Sequence, residues 1–245
     1  MCGVFGYLGE LDRPQWLLAH RLLAALAVAS ERRGTDASGY AALTTRGELL
    51  CQRQPGPARG LFHARQFGLL GSRRVRAVIG HTRLATTGDP GCNDNNHPHC
   101  AGDWALVHNG FIAGHREKAE QLKLRLRSQC DTEILVQALR RYGELAGPEV
   151  CLSLDGKQSV LALNTRARAL VAWTNGEMPL VAFRVKGWSA LWWASTEEIA
   201  REALAAVGLR ARFASARPNH VYRMEVRDGQ VAVTTRRADL LSRKS

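Results

Sequence analysis

Apolar and glycine residues fill almost every position from Cys2 to Gly9, the pattern of a strand buried on both faces. From Pro14 to about Glu31 the apolar residues recur at helical spacing (Leu17, Leu18, Leu22, Leu23, Leu26, Val28), with proline suited to the first turn. Arg32-Arg33-Gly34 ends that helix with cations and a glycine. Gly39–Thr45 and Glu48–Gln54 read as a hairpin about Arg46-Gly47, and Leu61–Leu70 as a short helix. A strand at Val75–Gly80 leads into a long polar loop from Thr82 to Gly102, and a second strand is expected at Trp104–Ile112. Helices follow at about His115–Leu126 and Asp131–Tyr142, the second with Asp131 as N-cap. Beyond Ser159 short strands are expected at 159–164, 168–174, 179–185, 189–194, 219–226 and 230–235, with a Thr-capped helix at Thr196–Val207 between them. The basic segment 236–245 is expected to fray. With no repeat and no linker composition, residues 1–245 read as a single α+β domain in which sheets pack between helices.

Composition narrows the function classes. The 245 residues are 45% hydrophobic and 23% charged, ordinary values for a water-soluble domain. No apolar run reaches membrane-spanning length and the N-terminus lacks a signal-peptide pattern, so a cytoplasmic protein without membrane contact is expected. The six cysteines (2, 51, 92, 100, 130, 151) follow no framework spacing and are expected as free thiols. A net charge of +12 and 29 Arg against 5 Lys raise nucleic-acid contact. The cations are spread along the chain, whereas a nucleic-acid footprint clusters on one face, so the pattern supports that partner only weakly.

Candidate chemistry begins at Cys2. Methionine is normally removed before a small residue, and removal of Met1 would put a thiol and a free α-amine on one residue. An α-amine ordinarily titrates at about 7.7–8.0, close enough to neutrality to act as the thiol's base. In GHTRLATTG (80–88), Arg83 offers a planar fork matched to a carboxylate, and Thr82, Thr86 and Thr87 offer hydroxyls. NDNNHPH (93–99) is flanked by Cys92 and Cys100, but Cys92, His97, His99 and Cys100 match none of the usual zinc spacings, and no metal is expected. In HNGFI (108–112), Asn109-Gly110 reads either as a hairpin turn or as a side-chain amide beside a backbone N–H, a pair of oxyanion donors. Asp131 in CDTE (130–133) either caps a helix or receives an ammonium.

These pieces, MCGVFGY at the start, RRGTDASG at 32–39, GHTRLATTG, NDNNHPH, HNGFI and CDTE, occur in one order that resembles the glutaminase domain of class II (N-terminal-nucleophile) glutamine amidotransferases, the glucosamine-6-phosphate synthase type above all. The later run 175–195 resembles a strand pair of the same family. The resemblance implies a four-layer αββα Ntn-hydrolase sandwich of two mostly antiparallel sheets between helix layers. It also implies glutamine as substrate and no cofactor. Cys2 would attack the glutamine side-chain amide, with Arg33 near it and with Asn109 and the Gly110 N–H as oxyanion donors. Arg83, Thr86, Thr87, His108 and Asp131 would hold the substrate, Arg83 its α-carboxylate and Asp131 its α-ammonium.

Two positions depart from the synthase pattern: Thr87 stands where that family usually has histidine, and Leu84 where it has an aromatic residue. An ammonia-consuming domain of the family's usual kind is not recognised in these residues. Three readings stay open. The chain is a glutaminase subunit supplying ammonia to a separate synthase or synthetase, a self-contained amidohydrolase for a γ-glutamyl or glutamine-like amide, or a non-catalytic basic binding module.

Overall fold

The computed structural model describes residues 1–63, 65–72 and 74–239. The strands are β1 (Gly3–Gly9), β2 (Ala37–Thr44), β3 (Leu49–Pro55), β4 (Val75–Arg83), β5 (His99–Ala101), β6 (Trp104–Ile112), β7 (Gly156–Asn164), β8 (Ala169–Thr174), β9 (Val181–Val185), β10 (Ala190–Ala194), β11 (Ala211–Ser215), β12 (His220–Arg227) and β13 (Gln230–Arg237). The helices are α1 (Arg13–Ser30), α2 (Ala58–Phe62), α3 (Arg65–Leu70), α4 (His115–Gln121), α5 (Glu133–Leu152) and α6 (Glu197–Ala206). One sheet runs β11-β9-β10-β1-β4-β2-β3 and the other β13-β12-β8-β7-β6-β5, with antiparallel pairing throughout.

Strand parity explains the layers. Successive side chains of a strand point to opposite faces. In β1, Val4 and Leu8 join Ala41, Leu43, Ala77 and Ile79 in an inner layer packed on Ala105, Val107, Leu161, Leu163, Leu170 and Ala172 of the other sheet. Phe5 and Tyr7 point the other way, onto α1, α2 and α6 through Trp16, Leu22, Leu26, Phe62 and Ile199. The outer face of the second sheet (Trp104, Leu106, Val160, Ala162, Trp173) meets Ile134, Leu135, Ala138 and Leu139 of α5. Two antiparallel sheets therefore lie between helix layers, the αββα arrangement. Each fully buried Val, Leu, Ile or Phe in these layers contributes about 1.5–3 kcal/mol relative to exposure.

Most expected elements are present with ends shifted by up to about three residues, but the helix expected to reach Leu126 stops at Gln121, where Leu122 is the C-cap and Lys123 takes a left-handed φ of 53°. Helix α1 is capped by Asp12, whose carboxylate accepts from Gln15 N at 2.8 Å, and α6 by Thr196, whose hydroxyl accepts from Ile199 N at 3.3 Å. Several further expectations need correction. Asp131 does not cap α5: Thr132 occupies that position without a side-chain cap bond. Helix α5 runs to Leu152 through a kink at Gly143 (φ 73°), past the expected stop at Tyr142, because Val150 and Leu152 bury against the second sheet. The expected Leu61–Leu70 helix is two short pieces, α2 and α3. Strands β5 and β11 fall outside the expected set; the one is a three-residue strand with polar flanks and the other a half-exposed edge. Of the expected frayed tail, Arg236 and Arg237 belong to β13, and 240–245 lie outside the described residues. Among the described residues no helix is long and apolar enough to cross a membrane.

Candidate active site

At one end of the sandwich the inner layer changes from apolar to polar. The parity that points Ala77 and Ile79 inward in β4 also points His81 and Arg83 inward, and in β6 it carries Ala105 and Val107 on to Asn109. Cys2 continues the Val4–Leu8 parity just ahead of β1, where Gly3 pairs with Thr82. Four chemistry-bearing side chains thus share the inner layer where the apolar filling stops.

The half-buried Cys2 thiol is held by the backbone of Leu84: its sulfur accepts from Leu84 N at 3.4 Å and lies 3.5 Å from Leu84 O. Burial pushes this thiol up from its ordinary value, against the opposing effects of the Leu84 N–H, the terminal ammonium and the Arg83 guanidinium; the Asp131 carboxylate also acts to raise it. Arg33 Nε donates to Cys2 O at 2.6 Å and so fixes the residue's backbone. Gly34 allows this crossing, since a Cβ there would lie 2.3 Å from the Arg83 and Leu84 backbone.

Arg83 is buried and its guanidinium donates only to neutral acceptors: Asn96 Oδ1 at 2.9 Å, Gly88 O at 3.1 Å, and Thr87 O. Asp131 is buried as well; its Oδ2 accepts from Ile112 N at 2.6 Å and its Oδ1 lies 3.7 Å from the Cys130 thiol. Among the described residues no carboxylate pairs with Arg83 and no cation pairs with Asp131. Both charges are nevertheless felt at the Cys2 sulfur. An unpaired buried guanidinium and an unpaired buried carboxylate, both within electrostatic range of one thiol, suit a zwitterion.

Asn109 is fully buried, and neither its Oδ1 nor its Nδ2 has a partner among the described residues. It does not sit in a turn: Asn109 and Gly110 pair with Ser159 and Gln158 inside the β6–β7 ladder, which removes the hairpin reading. Gly110 has φ +144° and a Cβ there would lie 1.7 Å from Lys157 O, so only glycine fits.

The remaining expected residues are placed differently from one another. His108 points to the outer side of β6, where Nδ1 contacts Thr132 Oγ1 at 2.9 Å and Nε2 contacts Lys157 O at 3.0 Å. Both ring nitrogens are engaged, so His108 fixes the start of α5 and the Gly110 strand rather than opening toward a ligand. Thr86 and Thr87 are exposed, and Thr87 serves Arg83 through its carbonyl.

Sequence reasoning did not single out Asn96, which orients Arg83, or Thr132, which meets His97 Nε2 at 2.9 Å as well as His108. Asn96 lies inside the quoted NDNNHPH run, so density of polar residues was the available signal. His81, stacked on His97 at 3.8 Å between centroids, contacts His108 O across the two sheets at 3.0 Å. Burial holds all four imidazoles, His81, His97, His99 and His108, below their ordinary value, with His99 pushed down to about 3. Of the four residues weighed for a metal, Cys92 and Cys100 are exposed and apart from the histidines' buried face. Among the described residues the donor atoms of His97, His99 and Cys130 lie within 4.8 Å of one another. Burial and Asp131 push the Cys130 thiol up to about 12, so a metal held there would have to displace its proton.

Stacked antiparallel sheets between helices, with a cysteine heading a central strand, define the fold of the Ntn-hydrolase amidotransferases. The glutamine phosphoribosylpyrophosphate amidotransferase of B. subtilis superposes with a TM-score of 0.69 over 95% of this chain and 49% of that one, at 23% identity. A glutamine aminotransferase class-II domain protein from Silicibacter pomeroyi superposes with a TM-score of 0.53 at 15% identity, over 97% and 99% of the two chains. In sequence, a family model described as a glutamine amidotransferase domain matches residues 81–201. The isomerizing glutamine–fructose-6-phosphate aminotransferase of Chlamydia trachomatis is 39% identical over 150 residues, 59% of this chain and 23% of that protein. Its counterpart in Bacillus spizizenii is 31% identical over 191 residues, 74% of this chain and 30% of that protein. The chain thus spans under a third of the length of these curated relatives. It carries a class II glutamine amidotransferase domain.

Proposed function

We propose that the protein is a glutaminase subunit that hydrolyses the side-chain amide of glutamine through Cys2 and supplies the ammonia to a separate acceptor enzyme. The observation that carries this reading is the half-buried Cys2 thiol with unpaired Arg83 and unpaired Asp131 within electrostatic range of it, and the unpartnered Asn109 amide on the same inner layer. A glutamine α-carboxylate would satisfy Arg83 and its α-ammonium Asp131, leaving the side-chain amide to reach Cys2.

Removal of Met1 frees the Cys2 amine, which takes the thiol proton as the sulfur attacks the amide carbon. The oxyanion is met by Asn109 Nδ2 and the Gly110 N–H. When the C–N bond breaks, the amine's proton goes to the leaving nitrogen, giving ammonia and a γ-glutamyl thioester. Water then adds to the thioester carbonyl, its proton returns to the sulfur, and glutamate leaves. Arg33 holds the Cys2 carbonyl throughout. That an acceptor takes up the ammonia is supported by the relatives' own names, which pair glutamine with fructose 6-phosphate or phosphoribosyl pyrophosphate.

The test is intact mass of the processed protein before and after 6-diazo-5-oxonorleucine, alongside glutamate release from glutamine. One adduct that vanishes in Cys2→Ala, with glutamate release that also vanishes, is expected. A folded, processed protein that takes no label would remove glutamine as the substrate. Labelling without ammonia reaching any acceptor protein, but with full hydrolysis of free glutamine, would favour the self-contained amidohydrolase.

A further inference from the structure

Cys51 and Cys100 play no part in the chemistry above. Cys51 lies in β3, the last strand of the seven-stranded sheet, and Cys100 in β5, the last strand of the six-stranded sheet. Their sulfurs are 3.8 Å apart, and this is the pair of thiols in hydrogen-bond contact among the described residues. Cys100 is exposed and Cys51 half-buried, so an exogenous reagent meets Cys100 first. Cys100 is also the better nucleophile: the contact with Cys51 and the nearby Arg53 charge lower it to about 7 against the effect of burial. The same contact and burial raise Cys51.

We propose that Cys51 and Cys100 form a reversible disulfide by exchange with a low-molecular-weight disulfide such as glutathione disulfide, stapling the free edge of one sheet to that of the other. In the first step the Cys100 thiolate attacks one glutathione sulfur. The S–S bond breaks and one glutathione thiolate leaves, taking up a proton. In the second step Cys51 gives its proton to solvent and its sulfur attacks the Cys100 sulfur, displacing the second glutathione, which is protonated in turn. Two protein thiols and one glutathione disulfide become one protein disulfide and two glutathione thiols. Two electrons pass from the protein to glutathione.

The staple has a structural reach beyond the edge. Cys100 directly follows the His97–His99 segment, whose His97 carbonyl packs so close over β2 that a Cβ on Gly39 would lie 2.0 Å from it. The same loop carries Asn96, the partner of Arg83. Oxidation would pin this loop to β3, and the proposal holds whether or not glutamine is the substrate.

The test equilibrates the full chain in mixtures of reduced and oxidised glutathione, quenches with acid and measures intact mass. Digestion with trypsin and an aspartate-N endoproteinase follows, because cleavage at Asp94 separates Cys92 from Cys100. Loss of two hydrogens, no retained glutathione, and a cross-linked peptide pair containing Cys51 and Cys100 are expected, with one two-electron transition across the series. Cys51→Ser should trap glutathione on Cys100, and Cys100→Ser should slow reaction at Cys51 by at least about tenfold. In the unmodified chain, alkylation of Cys100 should have its midpoint near pH 7. Glutathione retained on Cys100 of the unmodified chain, a link through Cys92, a link between two chains, or no reaction would each overturn the proposal.

Discussion

Replacing Asn109 by alanine separates a catalytic amide from a structural one. A buried asparagine in a strand ordinarily holds its neighbours through hydrogen bonds, and truncation then leaves those neighbours unmet. Here Oδ1 and Nδ2 have no partner among the described residues, so the folded protein bears the desolvation of the amide, about 1–3 kcal/mol, without a return. Truncation removes that cost and leaves a small cavity that costs on the order of 1–2 kcal/mol. The two nearly cancel. Since 1 kcal/mol moves Tm by about 2–4 °C in a chain of this size, Asn109→Ala should melt within a few degrees of the parent. The same change removes one of two oxyanion donors, a loss of about 10²–10³ in kcat or roughly 2.7–4 kcal/mol in the barrier. Calorimetry and coupled detection of released glutamate, run on the same processed sample, read both quantities. Unchanged turnover would refute the oxyanion role. A fall of about 3 kcal/mol or more in stability would refute the unpartnered amide.

The buried imidazoles make the protein acid-sensitive. A histidine whose folded pKa is depressed binds a proton in the unfolded chain first, so stability is lost as pH falls below about 6.5 and continues to fall until the folded value is reached. Each of His81, His97, His99 and His108 contributes up to about 1.4 kcal/mol per pH unit, and urea titrations at pH 7 and pH 5.5 should show proton uptake on unfolding, with His99 titrating near 3 in the folded state. Gly110→Ala places a methyl 1.7 Å from the Lys157 carbonyl at φ +144°, and should cost more than about 3 kcal/mol in urea unfolding; a loss under 1 kcal/mol would contradict the backbone placement. Arg83→Lys keeps the charge and loses the fork that reaches Asn96 and the two loop carbonyls, so kcat/KM for glutamine should fall about 10- to 100-fold with the fold intact by circular dichroism.

Local patterns made most of the layered fold legible. The run Gly3–Gly9 declares itself a central strand because both its faces are apolar, and α1 declares itself by its spacing, its first-turn proline and the arginines beyond its end. The motifs also named Cys2, Arg83, Asn109, Gly110 and Asp131 before any geometry, because their order along the chain resembles that of a glutaminase domain, although each alone has an ordinary structural reading. What one chain segment says about itself stops there. Asn-Gly is a turn signal in isolation, and only pairing with Ser159 and Gln158 kept it inside a ladder. Asp131 could cap its own helix at no cost to the local pattern; the N–H of Ile112, nineteen residues away in sequence, claimed its carboxylate instead. His108 carries the same side chain whichever way it points, and strand parity turned it away from Asn109 toward Thr132. Cys51 and Cys100 are scattered thiols in the sequence and meet because each lies on the last strand of its own sheet. Periodicity and residue chemistry are properties of neighbours along the chain, so the sequence alone determined the elements and the chemical inventory. Pairing register and sheet stacking are contacts between distant segments, and these decided which atoms of that inventory are paired and which stay unpartnered.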